Sequence, residues 1–180
     1  MAIPETPAMT TTLYTGTGTT GNVVDSGIEY DNKWLIWQKN RSQTGSHYLT
    51  DSTMVKTTNE YPSLSTNSSS SQATTAGPVN ITGSTFEYAG STNDSGQTSV
   101  VWSFRGAPGF FDVVTYTGNN TARSIQHSLG TAPGMMIVKD TSRSETWMVY
   151  HKSLGATKWI GFNDNLSLIH ISEPTRPRII

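Results

Sequence analysis

Apolar residues along this chain recur at every second position over short runs. In SVVWSFR, Ser99 to Arg105, Val100, Trp102 and Phe104 fall on one face and Val101, Ser103 and Arg105 on the other, the period of a half-buried antiparallel strand. WLIWQKN (34–40), TFEYAG (85–90), FFDVVTYTG (110–118), GMMIVKD (134–140) and TWMVYHK (146–152) are runs of similar length. They are rich in β-branched and aromatic residues and closed by Gly, Asn, Asp or Ser, so each predicts a strand. No window of about 12 residues carries a helical stripe. RGAPGF (105–110) and TAPGM (131–135) supply the Gly and Pro of turns. The pattern predicts an all-β protein, an antiparallel β-sandwich of jelly-roll or lectin-like kind. The Ser-rich stretch from Ser63 to Ala76 has little to bury and is expected to be a mobile loop.

The runs repeat. Tyr14-Thr15-Gly16 recurs as Tyr116-Thr117-Gly118 at an offset of 102, and Trp34 to Ser42 matches Gly134 to Ser142 at 100, with Lys39 on Lys139. Ser46 to Asp51 matches Thr146 to His151 at 100, and Asn59 to Leu64 matches Thr157 to Phe162 at 98. Four blocks in one order, with small drifts in offset, indicate two homologous units, 8–108 and 109–165, with Asn165 aligned to Asn67. The second unit is a truncated copy: TFEYAG and TSVVWSFR of the first have no counterpart. An unpartnered sheet edge and marginal stability are expected there.

Composition narrows the class. Of the 180 residues, 34% are hydrophobic and only 14% charged, so the polarity comes from Ser, Thr, Asn and Gly, which favours strands and turns over surface helices. A net charge of -1 without a basic run gives no footprint for nucleic acid. The absence of cysteine removes disulfides, thiolate metal sites and cysteine nucleophiles. No apolar run approaches a membrane span, so membrane insertion is not expected, and MAIPETPAMTTT lacks the charged and apolar regions of a secretory signal.

The stretch RGAPGFFDVVTYTGNNTARSIQHSLGTAPGMMIVKDTS (105–142), followed by WMVYHKSLGATKW (147–159), resembles a tandem repeat domain of tail and tail-fibre proteins of tailed phages, marine ones especially. The resemblance covers roughly Leu13 to Phe162. It implies a non-enzymatic structural or host-contact module located in the virion, with other tail proteins as partners, a homo-oligomeric intact protein and a host surface glycan as a further contact. It supplies no catalytic or ligand-binding residue. In the first unit YDNKW (30–34) replaces the TAPG turn, a departure from the family pattern. The segment LSLIHISEPTR (166–176) matches neither unit and resembles the translation of a transposase sequencing adapter, so 166–180 is read as a non-native tail.

Candidate chemistry is sparse. Trp34 and Trp37 stand three apart, on opposite faces of one strand; one of them exposed would make the pair a glycan contact, the basis for a carbohydrate-binding module as the alternative function. The other aromatics, Trp102 and Phe104 among them, are expected on inner faces. Asn93 and Asp94 in STNDSGQT are oxygen donors of the kind that bind calcium in sandwich loops, although the same residues form ordinary turns. No other cofactor is expected. His151 could meet Asp140 or Glu145 as an acid/base or metal pair, but Asp51 occupies its position in the first unit. A glycan hydrolase would draw two carboxylates from Asp25, Glu29, Asp31, Asp51, Glu60, Glu87, Asp94 and Asp112, which form no recognisable constellation.

Overall fold

A computed structural model describes residues 7–163; the segment read as adapter-derived lies outside the described residues. Eleven strands are described: β1 Met9–Thr15, β2 Asn22–Asp25, β3 Trp34–Asn40, β4 His47–Asp51, β5 Leu64–Ser65, β6 Asn80–Thr82, β7 Thr85–Tyr88, β8 Thr98–Arg105, β9 Met135–Val138, β10 Met148–His151 and β11 Ile160–Gly161. Helical structure among the described residues is confined to two single turns, Gly90–Thr92 and Lys152–Leu154. The protein is all-β, as the alternation predicts, and every ladder is antiparallel. No helix among the described residues is long and apolar enough to cross a membrane.

Three sheets form. A five-stranded sheet runs β1-β8-β3-β4-β5, a three-stranded sheet runs β2-β7-β6, and a second three-stranded sheet runs β11-β10-β9. The first two face each other as a sandwich. Between them lie Tyr14, Val24, Trp34, Ile36, Phe86, Tyr88 and Val101, with Tyr30, Tyr61 and Ile81 at the margin. The rings meet mostly edge to face, as Trp34 does with Tyr30 and Tyr61. The inner side of β3 follows period two, with Trp34, Ile36, Gln38 and Asn40 all buried. Polar groups carried inside find partners: Gln38 Nε2 donates to Ser99 Oγ at 3.0 Å, and Tyr30 and Ser103 share a 2.8 Å hydroxyl contact.

The aromatic stripe of β8 does not face this core. Ser99, Val101 and Ser103 are the inward positions, whereas Trp102 packs on Trp37, and Phe104 on Phe110 and Phe111, across the outer face. Alternation in sequence separates two faces but does not say which is internal when both are covered. The outer face is covered by the third sheet. Trp147, Leu49, Met54 and Leu64 form a second core there, flanked by Leu35 and Trp37.

FFDVVTYTG, expected as a strand, contributes only an isolated bridge between Ala107 and Phe111. The segment β1, which it resembles in sequence, pairs with β8 alone, and among the described residues no such strand lies beside 110–118. Propensity without a ladder partner does not make a strand. The Ser-rich loop also departs from expectation. Ser63, Leu64 and Thr66 are buried, Ser63 bridges Ala73, and Gln72 N–H donates to Thr141 O at 2.9 Å. Leu64 anchors it in the second core, and beyond that residue its hydroxyls and backbone groups bond to one another.

Candidate functional site

Two three-stranded meanders dominate the functional geometry, and they are built alike. In β3 and β4 the facing pairs are Leu35–Asp51, Ile36–Thr50, Trp37–Leu49 and Gln38–Tyr48; in β9 and β10 they are Met135–His151, Met136–Tyr150, Ile137–Val149 and Val138–Met148. Each pair of the second set lies 100 residues beyond the first. The loops agree as well. Asn40 Oδ1 accepts from Ser42 and Gln43 N–H at 2.9 and 3.0 Å, and Asp140 Oδ1 accepts from Ser142 and Arg143 N–H at the same distances. Ser52 N–H donates to Trp34 O, and Lys152 N–H to Gly134 O. At the third strand the offset is 96: Asn67 Oδ1 accepts from His47 N–H, and Asn163 Oδ1 from Trp147 N–H. Hydrogen bonding thus matches Asn67 with Asn163, two residues before the Asn165 of the sequence match, because aromatic blocks align over several offsets while a side-chain bond has only one.

The meanders meet through their outer faces. Trp147 is 2% exposed, and its Nε1–H is shared between Ser65 O at 3.1 Å and Ser68 O at 3.0 Å. Phe162 stands between it and Trp37, with ring centroids at 6.5 and 5.5 Å. Lys33 and Asp112 form an ion pair on the other flank, and Asp112 also accepts from the Ser128 N–H and hydroxyl. Desolvation works to raise the Asp112 carboxyl, but these hydrogen bonds and the Lys33 charge outweigh it and hold it at about 2.

The sequence candidates fall into different places. Trp34 is 6% exposed, inside the sandwich. Trp37 lies on the opposite face, half-buried, with its Nε1–H on Thr66 Oγ1 at 3.2 Å. The strand thus separates the two rings: Trp34 is enclosed by Tyr30 and Tyr61, whereas Trp37 packs on Trp102 and Phe162 and stays partly exposed. Asn93 is buried and clamps the β1–β2 loop. Its Oδ1 accepts from Thr17 N–H and Asn22 Nδ2, and its Nδ2 donates to Thr17 Oγ1 and Thr19 O. Asp94 is exposed and receives Gln43 Nε2 at 3.3 Å. These contacts describe a loop anchor. Gly16 belongs to the same anchor, since a Cβ there would sit 2.2 Å from Asp94 O.

His151 Nδ1 accepts from Ser153 N–H at 3.3 Å, as Asp51 Oδ1 accepts from Thr53 N–H at 2.8 Å. The two side chains share one task, capping the turn two residues on. Asp140 is held well below the usual carboxylate range by hydrogen bonds from Ser142 and Arg143. Among the carboxylates proposed for hydrolysis, Asp25 accepts from Gly27 N–H and Glu60 from Ala76 N–H. Among the described residues no three His, Asp or Glu groups converge as metal ligands. His47 is pushed down by desolvation and by Lys39.

The parts the sequence did not flag are Phe162 and the loop carbonyls of Ser65 and Ser68; Trp147 belongs to the aromatics expected to pack inward, and the alternation of TWMVYHK places it on one face with Val149. Fold and site together define a β-sandwich that carries an extra meander on its outer sheet. The chain belongs to the family described as a domain of unknown function (DUF7483), which matches residues 6–170 and so takes in both meanders and the first five residues of 166–180. Neither a curated protein nor a solved structure matches the chain.

Proposed function

We propose that the domain is a non-enzymatic structural and host-contact module of a phage tail or tail fibre, composed of a sandwich unit and the start of a second such unit. The observation that carries this reading is the joint between the meanders, where Trp37, Leu49, Leu64, Trp147 and Phe162 make an apolar contact. Such a contact fixes one unit relative to the next, which is what a spacer that transmits load requires. The distribution of polar side chains supports it. Asp25, Asp51, Glu60, Asn93, Asp140 and His151 are each bonded to loop backbone within the chain, the use expected of a scaffold. Repeated copies on a particle would turn weak surface contacts into avidity.

The test is immunogold labelling of particles of a phage whose genome encodes this sequence, using antibody raised against the chain. Label on tails or fibres is expected; particles without label would overturn the reading. Glycan-array binding lost in Trp37→Ala, with the fold retained, would favour the carbohydrate-binding module instead.

A further inference from the structure

In the five-stranded sheet β3 is paired on both sides. Arg41 N–H donates to Thr98 O, and Lys33 O accepts from Gly106 N–H, so odd positions of β3 address β8; Trp34 O accepts from Ser52 N–H, so even positions address β4. The same alternation governs β9. Gly134 O accepts from Lys152 N–H, which turns Met136 and Val138 toward β10 and leaves the N–H and C=O of Met135 and Ile137 directed at the other edge. On that edge no further strand lies among the described residues: the sheet order is β11-β10-β9, and all four residues of β9 are exposed.

Two further surfaces are open in the same way. Tyr14 of β1 is 8% exposed and donates its hydroxyl to Thr92 O, whereas its match Tyr116 is 55% exposed, in a segment that pairs with no strand among the described residues. Ile36, at the centre of the sandwich, is fully buried, but its match Met136 is 43% exposed and lines a trough of about 530 Å³ with Pro133, Met148, Tyr150 and Trp159. One missing strand of the β8 kind would leave both the edge of β9 and the segment 111–117 unpaired. The missing counterparts of β6 and β7 would leave the trough uncovered.

We propose that the β9 edge is a strand-acceptor site, and that its occupant is an extended segment of the β8 type supplied from outside residues 7–163. It would run antiparallel to β9 in the register of β8 on β3, with the residue matching Trp102 opposite Ile137 and the residue matching Phe104 opposite Met135. The occupant alternates small or β-branched residues toward the trough with β-branched or aromatic ones on the other face, as Ser99, Val101 and Ser103 alternate with Val100, Trp102 and Phe104. A second copy of the chain is a poor donor, because its own β8 is enclosed between β1 and β3 with Val101 and Ser103 fully buried. Nothing in this geometry depends on where the domain works.

Amide exchange of the full chain with the synthetic peptide QTSVVWSFRG, residues 97–106, tests the site. Saturating peptide should slow Met135 and Ile137 at least about tenfold, leave Leu35 and Trp37 unchanged, and have no effect when scrambled. Ile137→Pro removes an N–H aimed at the open edge and should abolish the slowing at Met135. A chain in which a second copy of residues 68–105 follows Asn163, as residue 68 follows Asn67, should protect both amides without added peptide. Equal slowing by the scrambled peptide would overturn the proposal, as would the absence of slowing from both peptide and fusion. Slow exchange at Met135 and Ile137 that depends on chain concentration alone would overturn it in favour of self-association.

Discussion

Replacing Trp147 with alanine removes the side chain that joins the second meander to the first. A buried indole covers about 150–250 Å², worth about 4–6 kcal/mol at ~25 cal/mol per Å² and less against a compact unfolded chain. Measured truncations of this size cost about 3–5 kcal/mol. The lost Nε1–H also leaves the carbonyls of Ser65 and Ser68 without that donor, and Trp147→Phe isolates this part at about 1–2 kcal/mol. The loss should be local. Native-state hydrogen exchange in Trp147→Ala should show Met148–His151 and the β10-bonded amides of Met136 and Val138 opening far more readily while β3 and β8 keep their protection, because the sandwich core around Ile36 and Val101 lies on the other side of the sheet. Unchanged exchange in β10, or equal loss in β3 and β10, would refute the idea that the meander is held by this contact.

Other outcomes follow from single contacts. Gly16→Ala places a Cβ against the Asp94 and Asn93 backbone and should lower stability by about 1–3 kcal/mol in urea unfolding. Asn93→Ala removes four hydrogen bonds from a buried anchor and should cost about 2–3 kcal/mol; added calcium should not shift the melting temperature of the parent chain, and a saturable shift would show a site there. Asp112 titrates near 2 when folded against an ordinary 3.8, so its stabilisation is complete above about pH 4 and is lost as pH falls toward 2. With Lys33 partly solvated, this amounts to about 1 kcal/mol; thermal melts of Asp112→Asn should lack that slope, and an unchanged slope would contradict the assignment. Trp37→Ala should lower stability by about 2–4 kcal/mol through lost packing on Trp102 and Phe162, whether or not it affects glycan binding.

Much of the fold is legible in the chain, because period-two alternation bounded by turn residues describes one strand at a time. β3, β7, β8, β9 and β10 were all expected where they occur, and the side-chain capping of turns by Asn40 and Asp140 follows from residue type alone. What alternation leaves open is the partner. Phe110 to Gly118 carries the same pattern as β1 and forms no strand, because strand formation is decided by a ladder residue that the segment does not contain. The expectation that Trp102 and Phe104 face inward fails for the same reason: Ser99 and Ser103 can enter the core because Gln38 and Tyr30 bond to their hydroxyls there. At the candidate site the opposite projection of Trp34 and Trp37 could be read from spacing. That Trp34 is enclosed and Trp37 only partly covered depends on Tyr61 and Phe162, distant in sequence. The Ser-rich loop was underestimated for a related reason: its polar side chains bond to its own backbone, a source of order that hydrophobicity does not register.

Two meanders share one design, and among the described residues only the first has its leading strand, β3, paired on both edges. Amide exchange of the unmodified chain at matched positions tests this directly. Leu35 and Trp37, which address β8, should exchange slowly, whereas Met135 and Ile137 should exchange close to the unprotected rate while Met136 and Val138, which address β10, remain slower. Protection of Met135 and Ile137 equal to that of Leu35 and Trp37 in dilute chain would contradict it.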